Sequence, residues 1–184
     1  MPLNLPNFIT VLRILAVPFT VWLIIEGYLM WAFWLFVAAG VSDALDGFIA
    51  KRFNMETELG KYLDPIADKI LLVAIFITLG VEGHIASWLV ILVVFRDFVI
   101  IAGALLFETM THSLTMKPLM VSKVNTVVQI VFAAVVMAVV GYGIELKGVM
   151  DVLVFITAAT TIASGFAYAF DLFKRWAKIE EKQE

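Results

Sequence analysis

Six apolar stretches, each long enough to cross a lipid bilayer as a helix, take up most of the chain and leave little else to fold. A spanning helix needs about 20 mostly apolar residues. Runs of that kind cover residues 8–27, 30–52, 63–82, 86–108, 119–143 and 150–173. Backbone groups in hydrocarbon must be hydrogen-bonded internally, so helices are the expected form. The strict alternation of a membrane β-barrel is missing. Composition agrees: 62 % of the 184 residues are hydrophobic and 16 % are charged, against about 25 % charged in a soluble domain. Mean hydropathy is +1.00. A soluble domain of this size would expose too much apolar surface. The expected fold is an all-α integral membrane protein, with one six-helix membrane domain over residues 1–184. Within it, residues 174–184 (KRWAKIEEKQE) form a charged cytoplasmic tail.

Charge and cysteine content exclude further classes. The formal net charge of −3 offers nothing to a polyanion, so nucleic acid is not an expected partner. Cysteine is absent, which removes disulfides, thiolate zinc sites and thiol catalysis. No Lys or Arg precedes the first apolar run, so a cleaved signal peptide is not expected. Six helices place both termini and the second and fourth loops on one side. That side holds Lys51, Arg52, Lys61, Lys117, Lys123, Lys174, Arg175, Lys178 and Lys182, nine cations against Lys147 alone on the other. The positive-inside rule makes it the cytoplasmic side, so a multi-pass protein of the inner (cytoplasmic) membrane is expected if the source is bacterial. Trp31, Trp34 and Trp88 fall at the outer helix ends and Trp176 at an inner end, where interfacial anchors belong.

The chemistry is carried by charges at membrane depth. An ionised side chain at a helix centre costs about 2.5–3.5 kcal/mol even on the lenient insertion scale. Yet the second run ends VSDALDGFIAKR and the third opens GKYLDPIADK, placing Asp43, Asp46, Asp64 and Asp68 within 26 residues. Asp43 and Asp46 share one helix face at i,i+3, and Gly47 and Ala50 continue it; Asp64 and Asp68 share another at i,i+4. A short loop makes the two helices antiparallel neighbours, so the four carboxylates converge. Together they would repel and raise one another's pKa values unless a cation balanced them. Hard oxygen ligands suit Mg²⁺, Mn²⁺ or Ca²⁺. Gly47 and Ala50 leave room for close approach. Gly60 falls in the connecting loop. Lys51 and Arg52 can hold phosphate oxygens, or act as ordinary positive-inside anchors. Asp64 before Pro65 also fits an N-cap with proline at the first helical position. Metals, cations and an open groove at the membrane surface suggest phosphoryl chemistry on a lipid.

This segment resembles the signature of the CDP-alcohol phosphatidyltransferase family, D-x2-D-G-x2-A-R-x8-G-x3-D-x3-D. Here it reads Asp43, Asp46, Gly47, Ala50, Lys51, Gly60, Asp64 and Asp68, with every spacing kept and Lys51 standing where the family has Arg. Lysine is a point charge rather than a planar fork, and Arg52 follows it immediately. The resemblance implies a six-helix membrane bundle in which the four aspartates bind two divalent ions, Mg²⁺ or Mn²⁺. It implies that Asp68 is the base taking the proton from an acceptor hydroxyl, and that CMP leaves as a phosphatidyl group passes from CDP-diacylglycerol to an alcohol. Gly47, Ala50 and Gly60 would line the cytidine pocket, with Lys51 beside them, and the site would lie on the cytoplasmic side. A homodimer is compatible with the resemblance, though the sequence marks no face for one.

Two further segments extend the resemblance over nearly the whole chain. Asn7, Thr10 and Arg13 match the P-N-x2-T-x2-R opening of glycerophospholipid-making members. They share a helical face and would border the nucleotide and its phosphates; Asn7 and Thr10 could equally cap the first helix. The string Lys117-Pro118 to Ser122-Lys123-Val124-Asn125-Thr126, followed by Gln129, is similar to CMP-forming cardiolipin synthases of the mitochondrial type. Those enzymes use phosphatidylglycerol as acceptor, so Arg96 and Lys123, with Arg52 and Arg13, are the expected phosphate and acceptor contacts. An intrabundle ion pair of Arg96 with Asp97 is the other expectation for that arginine. Phosphatidylglycerophosphate synthases, which use glycerol 3-phosphate, are the next resemblance. They carry a further Arg after helix four's Arg-Glu, and the stretch after Arg96 has none. A cation or proton transporter is the rival from another class. It would need polar residues reaching both membrane faces, whereas the first four runs are polar mainly in their cytoplasmic halves. His84 and His112 are expected in solvated loops.

Overall fold

The computed structural model describes the backbone of residues 5–52, 58–111 and 120–180. It describes the side chains of residues 12–42, 69–103, 120–171, 173 and 174. The described residues form six helices and no strand: α1 Leu5–Ile25, α2 Leu29–Arg52, α3 Glu58–Val81, α4 Ser87–Thr111, α5 Met120–Gly141 and α6 Lys147–Glu180. Each coincides with one of the six apolar runs. Among the described residues two helical segments, Met120–Gly141 and Lys147–Asp171, are long and apolar enough to cross a membrane.

Two boundaries differ from expectation. The limits of an apolar run mark only where hydropathy falls, and helices continue past them wherever the next residues favour helix. So α6 runs through Lys174, Arg175 and Trp176 to Glu180, and most of the expected tail is helical. Its Lys, Arg, Ala and Glu residues are good helix formers, which accounts for the extension. Similarly α3 begins at Glu58. Gly60 therefore lies in its first turn rather than in a connecting loop, and Asp64 and Pro65 lie inside the helix, which corrects the N-cap reading. Asn7 and Thr10 likewise fall within α1 and not at its cap.

The turns after α1, α3 and α5 share one design. Gly27, Gly83 and Gly143 have φ values of 77°, 77° and 64°. In each, the residue after the glycine donates its N–H five residues back: Tyr28 to Leu23, His84 to Leu79, Ile144 to Val139, at 2.8, 2.8 and 2.9 Å. The glycine N–H bonds three residues back, to Ile24, Gly80 and Val140. This is the Schellman arrangement, which satisfies the last carbonyls of a helix and requires a left-handed residue best supplied by glycine.

The chain divides into two compact units. One holds residues 1–86 with 133–146, the other 87–132 with 147–184, and the division falls inside α5. In the first unit α1 packs against both α2 and α3. The joined ends of α2 and α3, where those two helices are expected to be neighbours, lie outside the residues whose side chains are described. The unit's core is mainly apolar, with Ile24, Ala32, Ile75, Phe76, Leu79, Val136 and Met137 fully buried, and it also holds Arg13, Thr20 and Thr78. The end of α5 sits hard against the start of α2: a Cβ on Gly141 would lie 2.6 Å from Met30 N. One helical turn on, Trp34 Nε1 donates to Tyr142 Oη at 3.0 Å.

In the second unit α4 packs on α6, and the usual sidedness of a soluble protein is inverted. Arg96, Asp97, Asn125, Gln129, Thr157, Thr161 and Ser164 are buried, while Phe95, Phe98, Phe155, Phe166 and Phe173 are exposed. Buried polar groups with aromatic side chains facing outward are what a lipid surround selects.

Candidate functional site

The two acidic pairs lie on unbroken helices. α2 runs through Asp43 and Asp46 to Arg52, and α3 carries Asp64 and Asp68 in its second and third turns. Each pair therefore keeps the one-face register read from its spacing. A donor set of hard carboxylate oxygens repeated once on each helix fits Mg²⁺ or Mn²⁺. The side chains of Asp43, Asp46, Gly47, Ala50, Lys51, Arg52, Gly60, Asp64 and Asp68, and of Asn7 and Thr10, lie outside the described residues. Among the described residues no group of three or more His, Cys, Asp or Glu gathers as a metal site.

Arg13 is described, and it is only 4 % exposed. It sits on α1, the helix that packs against both acid-bearing helices, and its side chain is engaged there. A guanidinium is kept in such a place only where counter-charges or hydrogen-bond acceptors hold it.

The described polar cluster belongs to α4, α5 and α6. Arg96, 4 % exposed, is its centre. Its Nη1 donates to Asp97 Oδ1 at 2.5 Å, the ion pair anticipated as one of its two readings. Its Nη2 donates to Ser122 Oγ at 2.6 Å and also to Ser164 Oγ. The guanidinium carbon stands 6.0 Å from the Tyr168 ring centroid, within cation–π range. Gly165 keeps α6 close, since a Cβ there would meet Arg96 Cγ at 3.8 Å. Adjacent residues on a helix do not normally face each other. Arg96 and Asp97 pair because both are buried, where either charge alone would be costly. Lys123 follows Ser122 on α5 and is exposed.

The cluster continues along α5 and α6. Thr160 and Thr161 hydroxyls reach Asn125 Oδ1 at 2.9 and 3.0 Å, and Gln129 Nε2 donates to Thr161 Oγ1 at 3.4 Å. Asn125 and Gln129 are fully buried. Asn125 Nδ2, Gln129 Oε1 and Arg96 Nε have no partner among the described residues. Sequence reasoning passed over the α6 side of this cluster. The signal was there: Thr157, Thr160, Thr161, Ser164 and Tyr168 recur at 3, 4, 7 and 11 residues from the first, a polar stripe on one face of an otherwise apolar helix.

Comparison with known proteins bears on both halves of the chain. The profile of the CDP-alcohol phosphatidyltransferase family matches residues 3–163. A rice chloroplast CDP-diacylglycerol–glycerol-3-phosphate 3-phosphatidyltransferase is 33 % identical over 90 % of this chain and 56 % of its own length. Human cardiolipin synthase (CMP-forming) is 33 % identical over 91 % of this chain and 61 % of its own. The CDP-diacylglycerol–glycerol-3-phosphate 3-phosphatidyltransferase of Rickettsia bellii is 32 % identical over 90 % of this chain and 93 % of its own. The chain thus spans somewhat over half of the rice and human relatives. None of these relatives supports the transporter reading. The aspartate signature and the three polar helices both fall inside the matched span, and the chain belongs to the CDP-alcohol phosphatidyltransferase family.

Proposed function

We propose that this protein is a membrane-embedded, CMP-forming phosphatidyltransferase that moves a phosphatidyl group from CDP-diacylglycerol to an alcohol. The observation that carries the reading is the family's aspartate spacing, Asp43, Asp46, Asp64 and Asp68, on two uninterrupted helices. Asp43, Asp46, Asp64 and Asp68 hold two divalent ions, Mg²⁺ or Mn²⁺, of the kind the family uses. Those ions, when bound, neutralise the diphosphate and stabilise the departing CMP. Gly47, Ala50 and Gly60 admit the cytidine, and Lys51, Arg52 and Arg13 hold phosphate oxygens, with Asn7 and Thr10 beside the nucleotide. The Asp68 carboxylate takes the proton of the acceptor hydroxyl. The hydroxyl oxygen bonds to the phosphorus that carries diacylglycerol, and the bond from that phosphorus to CMP breaks.

The proposed acceptor is phosphatidylglycerol, giving cardiolipin, with Arg96 and Lys123 at its phosphate. Support comes from the Lys117-to-Gln129 string and from the absence of a second arginine after Arg96 on α4. A glycerol 3-phosphate acceptor is the second reading, favoured by the printed activity of the rice and Rickettsia relatives. We further propose that all six helices span the membrane as one domain, with the termini and the site cytoplasmic. The inverted burial of α4–α6 and the nine-to-one cation bias support this.

Purified protein is given CDP-diacylglycerol and Mg²⁺ or Mn²⁺, with phosphatidylglycerol and glycerol 3-phosphate offered separately. The expected result is CMP release with phosphatidylglycerol, abolished by chelation. No CMP with any alcohol ends the enzyme reading; product with glycerol 3-phosphate alone reverses the acceptor assignment.

A further inference from the structure

We infer that Ser164 is a positioning residue of the acceptor site, one that acts by fixing the guanidinium of Arg96. This rests on the proposal that Arg96 meets the acceptor's phosphate. Arg96 Nη2 donates to two hydroxyls, Ser122 Oγ on α5 and Ser164 Oγ on α6. An Nη atom carries two N–H groups that lie in the guanidinium plane. Acceptors on two different helices therefore fix that plane, where a single acceptor would let it swing. The two hydroxyls are not equal. Ser164 is fully buried, whereas Ser122 is half-buried. Water competes for the Ser122 bond and not for the Ser164 bond, which makes Ser164 the firmer hold.

Neighbouring residues of α6 complete the hold. Gly165 brings no side chain against the arginine stem: a Cβ there would meet Arg96 Cγ at 3.8 Å. One turn after Ser164, the Tyr168 ring centroid stands 6.0 Å from the guanidinium carbon. Positions 164, 165 and 168 lie on one side of a helix. The earlier part of the same stripe serves another purpose. Thr157 and Thr161 bond to the backbone of their own helix, and Thr160 and Thr161 reach Asn125. Those contacts join helices, whereas the Ser164 hydroxyl receives the arginine. Arginine has many rotamers to lose, and a phosphate is met best by a guanidinium whose plane is already set. Held in this way, Arg96 presents one geometry before the acceptor binds.

The test compares wild type with Ser164→Ala and Ser164→Cys. Cysteine keeps the side chain's shape and replaces the hydroxyl with a weak acceptor. CMP release is measured while the acceptor that wild type turns over, phosphatidylglycerol or glycerol 3-phosphate, is varied, and then while CDP-diacylglycerol is varied. Folding is checked by size exclusion. A hydrogen bond to a charged group is worth about tenfold or more in binding, so KM for the acceptor should rise about tenfold in both variants. The kcat and the KM for CDP-diacylglycerol should stay within about twofold of wild type. Ser164→Thr restores a hydroxyl of the kind the stripe already carries, and should return the acceptor KM to near the wild-type value. A folded variant with unchanged acceptor KM, or one in which kcat and both KM values shift together, overturns the inference. Failure of both Ser164→Ala and Ser164→Cys to elute as folded protein also overturns it, since the serine is then structural. The acceptor-contact reading is tested separately by Arg96→Lys, which keeps the charge and loses the planar fork. If that variant leaves the acceptor KM unchanged, Arg96 does not meet the acceptor's phosphate, and the role of Ser164 falls with that reading.

Discussion

Gly141 offers the sharpest test of the packing. A methyl added there would lie 2.6 Å from Met30 N, 2.9 Å from Met30 Cα and 3.0 Å from Leu29 C. All three are backbone atoms at the start of α2, so no side chain can swing away. Ordinary contact distances for such atoms are about 3.5–4.0 Å, so the end of α5 must retreat from α2 by about 1 Å. Overpacking of this kind costs about 1–3 kcal/mol, and a backbone obstacle belongs at the upper end. The gain in helix propensity from Gly to Ala returns about 1 kcal/mol. Gly141→Ala should therefore destabilise by about 2 kcal/mol net. Gly40 is the control: it lies inside α2 with nothing within 4 Å of its added Cβ. There the same substitution should stabilise by about 1 kcal/mol. The gap of about 3 kcal/mol corresponds to about 6–12 °C between the two melting midpoints. Thermal unfolding of the detergent-solubilised protein, followed by tryptophan fluorescence, reads both the midpoint and the Trp34–Tyr142 bond. If Gly141→Ala melts at or above Gly40→Ala, the close approach of α5 to α2 is wrong.

Further predictions concern the turns and the charges. Gly27→Ala, Gly83→Ala and Gly143→Ala should each lower stability by about 1–2 kcal/mol, because alanine resists the left-handed conformation. Asparagine at the same positions should cost less, and equal melting of all variants would refute the strain argument. Arg96→Ala should cost about 3–5 kcal/mol by breaking the buried Arg96–Asp97 pair, and adding Asp97→Ala should recover part of that loss in the same melting assay. Asp68→Asn should abolish CMP release while the protein still elutes as a folded species; substantial turnover would remove Asp68 as the base.

Helix number and approximate position were legible because each apolar run is about as long as the helix it forms. Their ends were less so. Hydropathy falls at Lys174, yet α6 continues to Glu180, since a charged helix that leaves the apolar layer loses no hydrogen bonds. The same blindness placed Gly60 in a loop when it belongs to α3. Sequence reasoning passed over the three Schellman glycines, although glycine commonly follows a helix end. For the candidate site, the aspartate pattern is local, confined to two helices, so its spacing can be read in one dimension. The Arg96 cluster is tertiary. Ser122 and Ser164 are 26 and 68 residues from Arg96, and nothing in their spacing says they share a guanidinium. Only the periodic stripe on α6 hinted that a polar partner awaited it.

That stripe also explains why the cluster persists. In hydrocarbon, apolar burial does little to hold helices together, because lipid is as apolar as a leucine side chain. Hydroxyls and amides that would otherwise be stranded supply the association instead. Thr157 and Thr161 return bonds to their own helix at Leu153 and Thr157, both at 2.7 Å. Thr161 and Thr160 also reach across to Asn125. The contacts between α5 and α6 are therefore directional. A directional interface holds Ser122 and Ser164 at fixed positions against Arg96, and so fixes the plane of its guanidinium. Mobile apolar packing would leave the guanidinium several orientations. The polar seam that joins the helices is thus also what holds Arg96 in one orientation.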